Sequence, residues 1–187
     1  MRHTEHRGPT FKGEKTGMSK SLRVSLIFAG LIVMNLGLAQ IAAGQLIISE
    51  FRVRGPNGAN DEFIEIANNS GADHTVAGGG TGYAVAASNG VARCVIPNGT
   101  VIPNRGHYLC VNSVGYSLAS YPAGNGTTAT GDATYTTDIP DNAGIAIFNT
   151  SVAANFTLAN RLDAVGSTSE ANTLYKEGTG YPALTPP

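Results

Sequence analysis

The densest group of residues that could bind a cation is acidic and lies in one short segment. Asp61, Glu62 and Glu65 fall within five positions, and carboxylate oxygens are preferred ligands of Ca²⁺. Apolar and polar residues alternate in this segment, however, so Glu62 and Glu65 are expected on opposite faces of a strand. We therefore interpret the three carboxylates as a solvated strand face, with Glu62 near an edge, rather than as a metal site.

A second acidic group lies in a long polar segment further along the chain. Asp132, Asp138, Asp141 and Asn142 offer oxygen ligands within a loop, where side chains adapt to Ca²⁺ more easily than on a strand. Their spacing matches neither an EF-hand nor a β-roll pattern. A Ca²⁺ site at Asp132, Asp138 and Asp141 stays a hypothesis, and no other cofactor is predicted.

The residues that could support catalysis do not form a recognisable motif. Nucleophilic catalysis needs a base beside a Ser or Cys, yet His74 lies in a Gly-rich turn, His107 begins a strand-like run, and neither belongs to a Gly-x-Ser-x-Gly segment. The glycines at 78–80 are followed by no Lys-Ser/Thr pair, so they indicate a flexible inter-strand loop rather than a phosphate loop. We predict a protein that is not an enzyme, with no catalytic residues.

Cys94 and Cys110 are the two cysteines of the chain. They lie in two strand-like runs joined by a loop that contains Pro and Gly, so proximity across strands is expected. In an oxidising compartment two cysteines of one small domain usually pair. The alternative is two buried, unpaired thiols. No histidine is adjacent to either cysteine, so a zinc site is not expected.

Residues 1–44 are predicted to be a leader. They contain six Lys or Arg and two acids, which leaves six basic and eleven acidic residues in 45–187 out of totals of 12 and 13. The uncharged run Val24–Leu38 has the length of a signal peptide rather than of a membrane span. We predict cleavage before Gln45, with cleavage before Gln40 as the second possibility. Met18 is an alternative start, and an uncleaved anchor is the alternative fate.

The predicted destination is the cell exterior or the cell surface, with no transmembrane span after signal cleavage. The remaining body, from Gln45 onward, carries a net charge of about −5, the difference between its six basic and eleven acidic residues. A mildly acidic body lacks the positive surface that binding to phosphate backbones requires, so no nucleic-acid partner is expected.

The body after residue 45 is predicted to be all-β, because short β-branched and aromatic runs recur between Gly, Asn, Pro and Asp. Within the long polar segment 113–142, Tyr116, Tyr121 and Tyr135 are expected to pin the loop to the sandwich rather than to contact a ligand. About seven short strands with frequent turn signals are typical of a two-sheet sandwich. The predicted strands are 45–53, 61–67, 82–88, 91–96, 107–112, 143–148 and 161–165.

Four stretches of this chain resemble lamin-tail domains in their order and spacing. They are Leu46–Phe51 with Asp61–Asn68, Ile96–Pro103 leading into His107–Val111, Asp138–Phe148, and Arg161–Gly166. The resemblance covers roughly 46–178, and we assign 45–178 to such a domain. It implies an immunoglobulin-like β-sandwich of two antiparallel sheets, found in nuclear lamins and in exported bacterial proteins, that binds or tethers rather than catalyses. The leader matches the exported bacterial kind.

The chain departs from that family after Lys176-Glu177-Gly178. Residues 179–187 read as a Pro-rich stub, whereas members of the family usually continue into a strand that closes a sheet, so we predict a truncated sequence with one open edge. The functional hypothesis is an exported binding or tethering module with an unknown protein or cell-surface partner. The alternative is the accessory domain of a secreted hydrolase or nuclease whose catalytic part is absent from this chain.

Overall fold

The computed structural model of the chain describes residues 46–118 and 129–183, and these residues form an all-β fold. The predicted signal peptide, the cleavage before Gln45, the start at Met18, Tyr121 and residues 184–187 lie outside the described residues. The strands are β1 Leu46–Arg52, β2 Phe63–Asn68, β3 His74–Thr75, β4 Gly82–Ala87, β5 Ala92–Pro97, β6 Val101–Ile102, β7 His107–Asn112, β8 Ala133–Tyr135, β9 Ile145–Phe148 and β10 Arg161–Val165.

All seven strands predicted from the sequence are present, as β1, β2, β4, β5, β7, β9 and β10. The three that the sequence did not reveal are β3, β6 and β8. They are two or three residues long, which is too short for an alternating pattern to stand out. Two single 3₁₀ turns, Ala153–Asn155 and Thr173–Tyr175, complete the regular structure of the described residues.

The strands form two four-stranded sheets and a small ribbon. The first sheet has the order β1-β2-β7-β8, the second has the order β10-β9-β4-β5, and β3 pairs with β6. This arrangement confirms the predicted sandwich. One pairing differs from the expected antiparallel pattern, because β8 runs parallel to β7. A parallel neighbour needs a long connection, and residues 113–132 provide it.

The main core lies between the two sheets, where each inward face contributes every second residue of its strands. The disulfide between Cys94 on β5 and Cys110 on β7 joins the second sheet to the first across this core, with a Cα–Cα distance of 6.3 Å. The core residues with no exposed surface include Leu46, Ile64, Ile66, Val85, Ile96, Ile145 and Ile147.

The second sheet is also covered on its outer face, which explains why all six residues of β4 are buried. There, small residues on the strands leave room for an aromatic cluster. Phe148 stacks on Phe156 at a centroid distance of 4.4 Å and meets the edge of Tyr175 at 5.8 Å. Ala86, Ala146 and Ala164 belong to the same cluster.

The two sheets meet along one side through β1 and β10, and side chains limit the exposure of these edges. A carboxylate oxygen of Asp163 accepts a hydrogen bond from the backbone N–H of Ile48 at 2.7 Å. The predicted C-terminal stub also starts in contact with the sandwich, because Tyr181 pairs with Ser167 in a parallel bridge and packs on Phe51. No helix among the described residues is long and apolar enough to cross a membrane.

Candidate functional site

The strand order brings five loops together at one end of the sandwich, which we call the charged end. At this end β1 finishes beside the start of β2, as the pair Arg52–Phe63 shows. In the second sheet, β4 finishes beside the start of β9, as the pair Ala87–Ile145 shows. The opposite end, which we call the amide end, carries residues 69–81, 98–106 and 149–160. The loops of the charged end are 53–62, 88–91, 113–118, 136–144 and 166–172.

All four buried charged side chains of the described residues lie at the charged end. Asp61 and Glu62 have no exposed surface, while Arg93 is 4% and Glu170 8% exposed. The prediction of a solvated strand face at Asp61 and Glu62 is therefore wrong. Loops fold over the start of β2 and supply backbone N–H groups to both carboxylates in place of solvent.

Asp61 holds loops 53–62 and 113–118 in place. Its carboxylate forms an ion pair with Arg52 and accepts hydrogen bonds from the backbone N–H groups of Asn57 at 3.2 Å and Ser117 at 3.0 Å. The Arg52 guanidinium in turn lies 5.1 Å from the centre of the Phe63 ring. A buried ion pair whose partners carry further hydrogen bonds holds its surroundings firmly, because breaking it leaves a charge in a dry site.

Glu62 holds loop 136–144 in place. One carboxylate oxygen accepts a hydrogen bond from the Asn112 side chain at 2.8 Å, and the other accepts the backbone N–H of Ile139 at 2.6 Å. Burial raises the pKa of Glu62 from 4.5 to about 7, against the lowering effect of these two hydrogen bonds. The nearby charge of Asp138 raises this pKa further, while that of Arg93 lowers it.

Arg93 enters this region because of a β-bulge. The register between β4 and β5 shifts at Val85 and Ala86, which leaves Arg93 as the extra residue of β5. Bulges re-aim side chains, and Arg93 donates hydrogen bonds to the carbonyl oxygens of Val91 and Asp138, both at 2.7 Å. Burial lowers the pKa of Arg93.

Tyr135 completes a buried polar group formed by Glu62, Arg93, Asn112 and Tyr135. It is 6% exposed, and burial followed by the negative charge of Glu62 raises the pKa of its hydroxyl. Within the described residues, the Arg93 Nε has no hydrogen-bond partner, while the Tyr135 hydroxyl interacts with the Glu62 carboxyl. The role of Tyr135 as a pin for the polar segment is borne out, and Tyr116 likewise packs edge-on against Phe63 at 5.9 Å.

A polar cavity of about 330 Å³ opens beside this group. The charged residue in its lining is Glu170, whose oxygens accept the N–H groups of Gly144 and Asn172, both at 2.7 Å. Burial opposes the ionisation of Glu170, but hydrogen bonds from Ser88, Asn172 and Gly144 and the charge of Lys176 lower its pKa overall. Residues that line the cavity include Ser88, Asn89, Pro140, Asn142, Ser169 and Glu170.

The three aspartates of the Ca²⁺ hypothesis are not brought together. Asp132 accepts the backbone N–H of Leu109 at 2.8 Å, and Asp141 pairs with Arg54 at 2.9 Å. Asp138 is exposed and contributes its backbone carbonyl to Arg93. In the part of the chain that the structure describes, no group of three or more His, Cys, Asp or Glu side chains is arranged to hold a metal ion.

The two candidate histidines have different surroundings, and the Ser49 hydroxyl donates at 2.7 Å to the same Glu65 oxygen that His107 contacts. His107 contacts the Glu65 carboxylate at 2.8 Å on the exposed face of the first sheet, and His74 packs on the Tyr83 ring at 5.7 Å. The expectation that residues 78–80 form a flexible loop needs correction. A Cβ on Gly79 would lie 2.7 Å from the Thr150 hydroxyl, and Gly79 bridges Thr150 through the backbone.

The sequence did not predict that Glu62, Arg93 and Tyr135 lie together in one buried group. A signal for Glu62 was present, because it shares its strand face with the core residues Ile64 and Ile66 under the two-residue period of a strand. The same period places Arg93 on the face opposite Cys94, so nothing in the sequence indicates the bulge.

The chain matches no family model, no curated protein and no solved structure.

Proposed function

We propose that this protein is an exported, non-catalytic binding or tethering module of the lamin-tail type, and that it binds its partner through the loops of the charged end. The observation that carries the proposal is the fixation of those loops by buried charges around an open polar cavity. Loops on a rigid scaffold are where sandwich proteins commonly place their binding residues.

The way the loops are held supports a binding role. A loop that is ordered before binding does not lose its conformational freedom on association, so more of the contact energy appears as affinity. Asp61, Glu62 and Glu170 each hold backbone N–H groups of such loops. A sandwich that needed only stability would gain as much from apolar residues at these positions, because buried charges are costly to desolvate.

The cavity indicates the chemistry of the contact. Its lining includes the amides of Asn89 and Asn142, both exposed, and the buried Glu170, whose lowered pKa keeps it ionised. These groups recognise a neutral partner rich in hydroxyl or amide groups better than an anion, because the carboxylate repels negative charge. The partner class that we propose is therefore a neutral polar component of the cell surface.

Saturable binding of the fluorescently labelled full chain to cells of the producing organism tests the proposal. We expect binding that Asn142→Trp, which fills the cavity mouth, weakens by about tenfold or more, equivalent to about 1.4 kcal/mol. Asn155→Trp is the matched control, because Asn155 is exposed on the amide end. Absence of saturable binding, or equal weakening by both substitutions, would contradict the proposal.

A further inference from the structure

The side-chain amide of Asn89 is held in one orientation. Asn89 lies in loop 88–91 and lines the polar cavity. Its Oδ1 accepts two hydrogen bonds, one from the backbone N–H of Val91 at 3.1 Å and one from the Arg93 Nη1 at 3.3 Å. Both of these groups can only donate hydrogen bonds. A rotated amide would turn its own N–H donors against them, so the oxygen must face Val91 and Arg93.

Arg93 is itself fixed in place. Its buried guanidinium donates to the backbone carbonyls of Val91 and Asp138, both at 2.7 Å. These hydrogen bonds attach it to loops 88–91 and 136–144, both of which contribute to the cavity lining, although Arg93 does not line the cavity. Arg93 is therefore a positioning residue, because it engages the oxygen of Asn89 and leaves the nitrogen available.

The Nδ2 group is the part of the Asn89 amide that is left for a ligand. Among the described residues, no group accepts a hydrogen bond from this nitrogen. Because Asn89 is exposed and lines the cavity, its two N–H donors are accessible there. A ligand group at Asn89 must therefore accept hydrogen bonds, as the oxygen of a carbonyl or a hydroxyl group does.

Glu170 does not turn the cavity into a site for a cation. Its carboxylate already accepts hydrogen bonds from the backbone N–H groups of Gly144 and Asn172 and from the Ser88 side chain. The positive charge of Lys176 also acts on it. A carboxylate with three donors has little accepting capacity left, so a cationic ligand would gain little from Glu170.

The rest of the lining suits an acetamido group, which combines a carbonyl oxygen, an N–H and a methyl group. Pro140, Ala143 and Ala171 provide apolar surface for the methyl group. The Asn142 amide has no hydrogen-bond partner among the described residues, so it can turn its oxygen toward the ligand N–H. A volume of about 330 Å³ is small for a ligand site, which favours a single compact residue.

We propose that the cavity binds the acetamido group of a neutral N-acetylated sugar, and that Asn89 determines this specificity by donating from Nδ2 to the acetamido carbonyl. The methyl group contacts Pro140 and Ala143. A sugar is favoured over an acetylated peptide because its ring hydroxyls supply further partners for the exposed hydroxyl of Ser169 and amide of Asn142. This inference rests on the proposed function and names the ligand class of the same site.

An NMR titration of the isotopically labelled full chain with the methyl glycoside of N-acetylglucosamine tests the ligand class. We expect saturable shifts of the Asn89 side-chain N–H signals, with a Kd on the order of 1 mM. Methyl glucoside, which has a hydroxyl in place of the acetamido group, should bind about tenfold more weakly or worse. No shift at about 50 mM N-acetylated sugar, equal affinity for the two sugars, or equal affinity for an acetyl-lysine peptide would overturn the inference.

An isosteric substitution tests the role of Asn89. Asn89→Asp keeps an oxygen for Val91 and Arg93 but replaces the N–H donors by a second acceptor, so affinity for the N-acetylated sugar should fall about tenfold or more. Asn89→Ala, which adds no charge, should weaken binding to a similar extent. Asn155→Asp is the matched control, because it adds the same charge at the amide end and should leave the affinity unchanged. Full affinity in both Asn89 variants, or an equal loss in the control, would contradict the assignment.

The two proposals for this cavity fail in different ways. If cells bind the chain saturably and Asn142→Trp weakens that binding, but the N-acetylated sugar causes no shift, the cavity is a binding site and the ligand class is wrong. If the sugar binds as expected and cells do not, the ligand class stands and the cell-surface function is wrong.

Discussion

The two ends of the sandwich close their loops with different chemistry. At the charged end, the carboxylates of Asp61, Glu62 and Glu170 accept the backbone N–H groups of loop residues. At the amide end, Asn68 is 1% exposed and donates its side-chain N–H groups to the carbonyl oxygens of Ala72, Ile102 and Pro103.

Asn98 plays a similar part at the amide end. Its side-chain oxygen accepts the N–H of Gly78 at 2.7 Å, and its side-chain nitrogen donates to the carbonyls of Gly78 and Gly80 at 3.3 and 3.2 Å. An amide side chain offers donors and acceptors together and does not titrate. The buried side chains that close the amide end are therefore amides, with the exposed Asp73 carboxylate accepting the Asn104 N–H at 2.9 Å beside them. The charged end is held by buried groups whose strength depends on counter-charges and on pH.

The largest expected effect follows from breaking the buried ion pair of the charged end. Asp61→Ala removes the Arg52–Asp61 pair and the acceptor of Asn57 and Ser117, so the free energy of unfolding should fall by about 3–5 kcal/mol. Asp141→Ala, which breaks the exposed pair with Arg54, should cost less than about 1 kcal/mol. Denaturant unfolding measures both, and similar losses would show that burial is not the deciding factor.

The disulfide should support both ends equally, because it crosses the core between them. Replacing both cysteines by alanine opens a link with a sequence separation of 16 and should cost about 3 kcal/mol. Hydrogen exchange should then accelerate at both ends. A thiol count on the denatured, unreduced protein provides the direct check, and two free thiols would rule out the bridge between Cys94 and Cys110.

The amide end should be sensitive to the loss of Asn68. Asn68→Ala leaves three carbonyl oxygens without their donor and Ser70 N–H without its acceptor, for a loss of about 2–3 kcal/mol. Because no ionisable group is removed, the loss should be the same at pH 5 and pH 8. A loss of unfolding free energy that varies with pH would contradict the proposed difference between the two ends.

The smallest expected effect is the pH dependence of stability. The pKa of Glu62 is about 7 in the folded protein and 4.5 in the reference state, so the folded state binds more protons between these values and stability falls as the pH rises through them. The loss between pH 5 and 8 should be at most about 2.5 kcal/mol. Thermal unfolding across this range should show the slope in the Asn68→Ala variant and not in Glu62→Gln.

Local pattern was enough to predict most of the fold. The alternation of Phe63, Ile64, Glu65 and Ile66 identified β2, and the runs around Cys94 and Cys110 identified β5 and β7. These strands are long enough for the two-residue period to appear, and Gly, Asn and Pro mark their ends. The short β8 could not be found, because three residues are too few for that period to appear.

The buried charges show what the sequence by itself could not decide. Composition and periodicity determined an all-β body, the strands that bear its core, and the two cysteines between them, because those properties follow from neighbours along the chain. Whether Glu62 or Arg93 is buried depended on loops 53–62 and 136–144 folding over them and on a bulge in β5. Only the tertiary structure fixes these, since the cost of burying a charge depends on which distant N–H and O–H groups surround it.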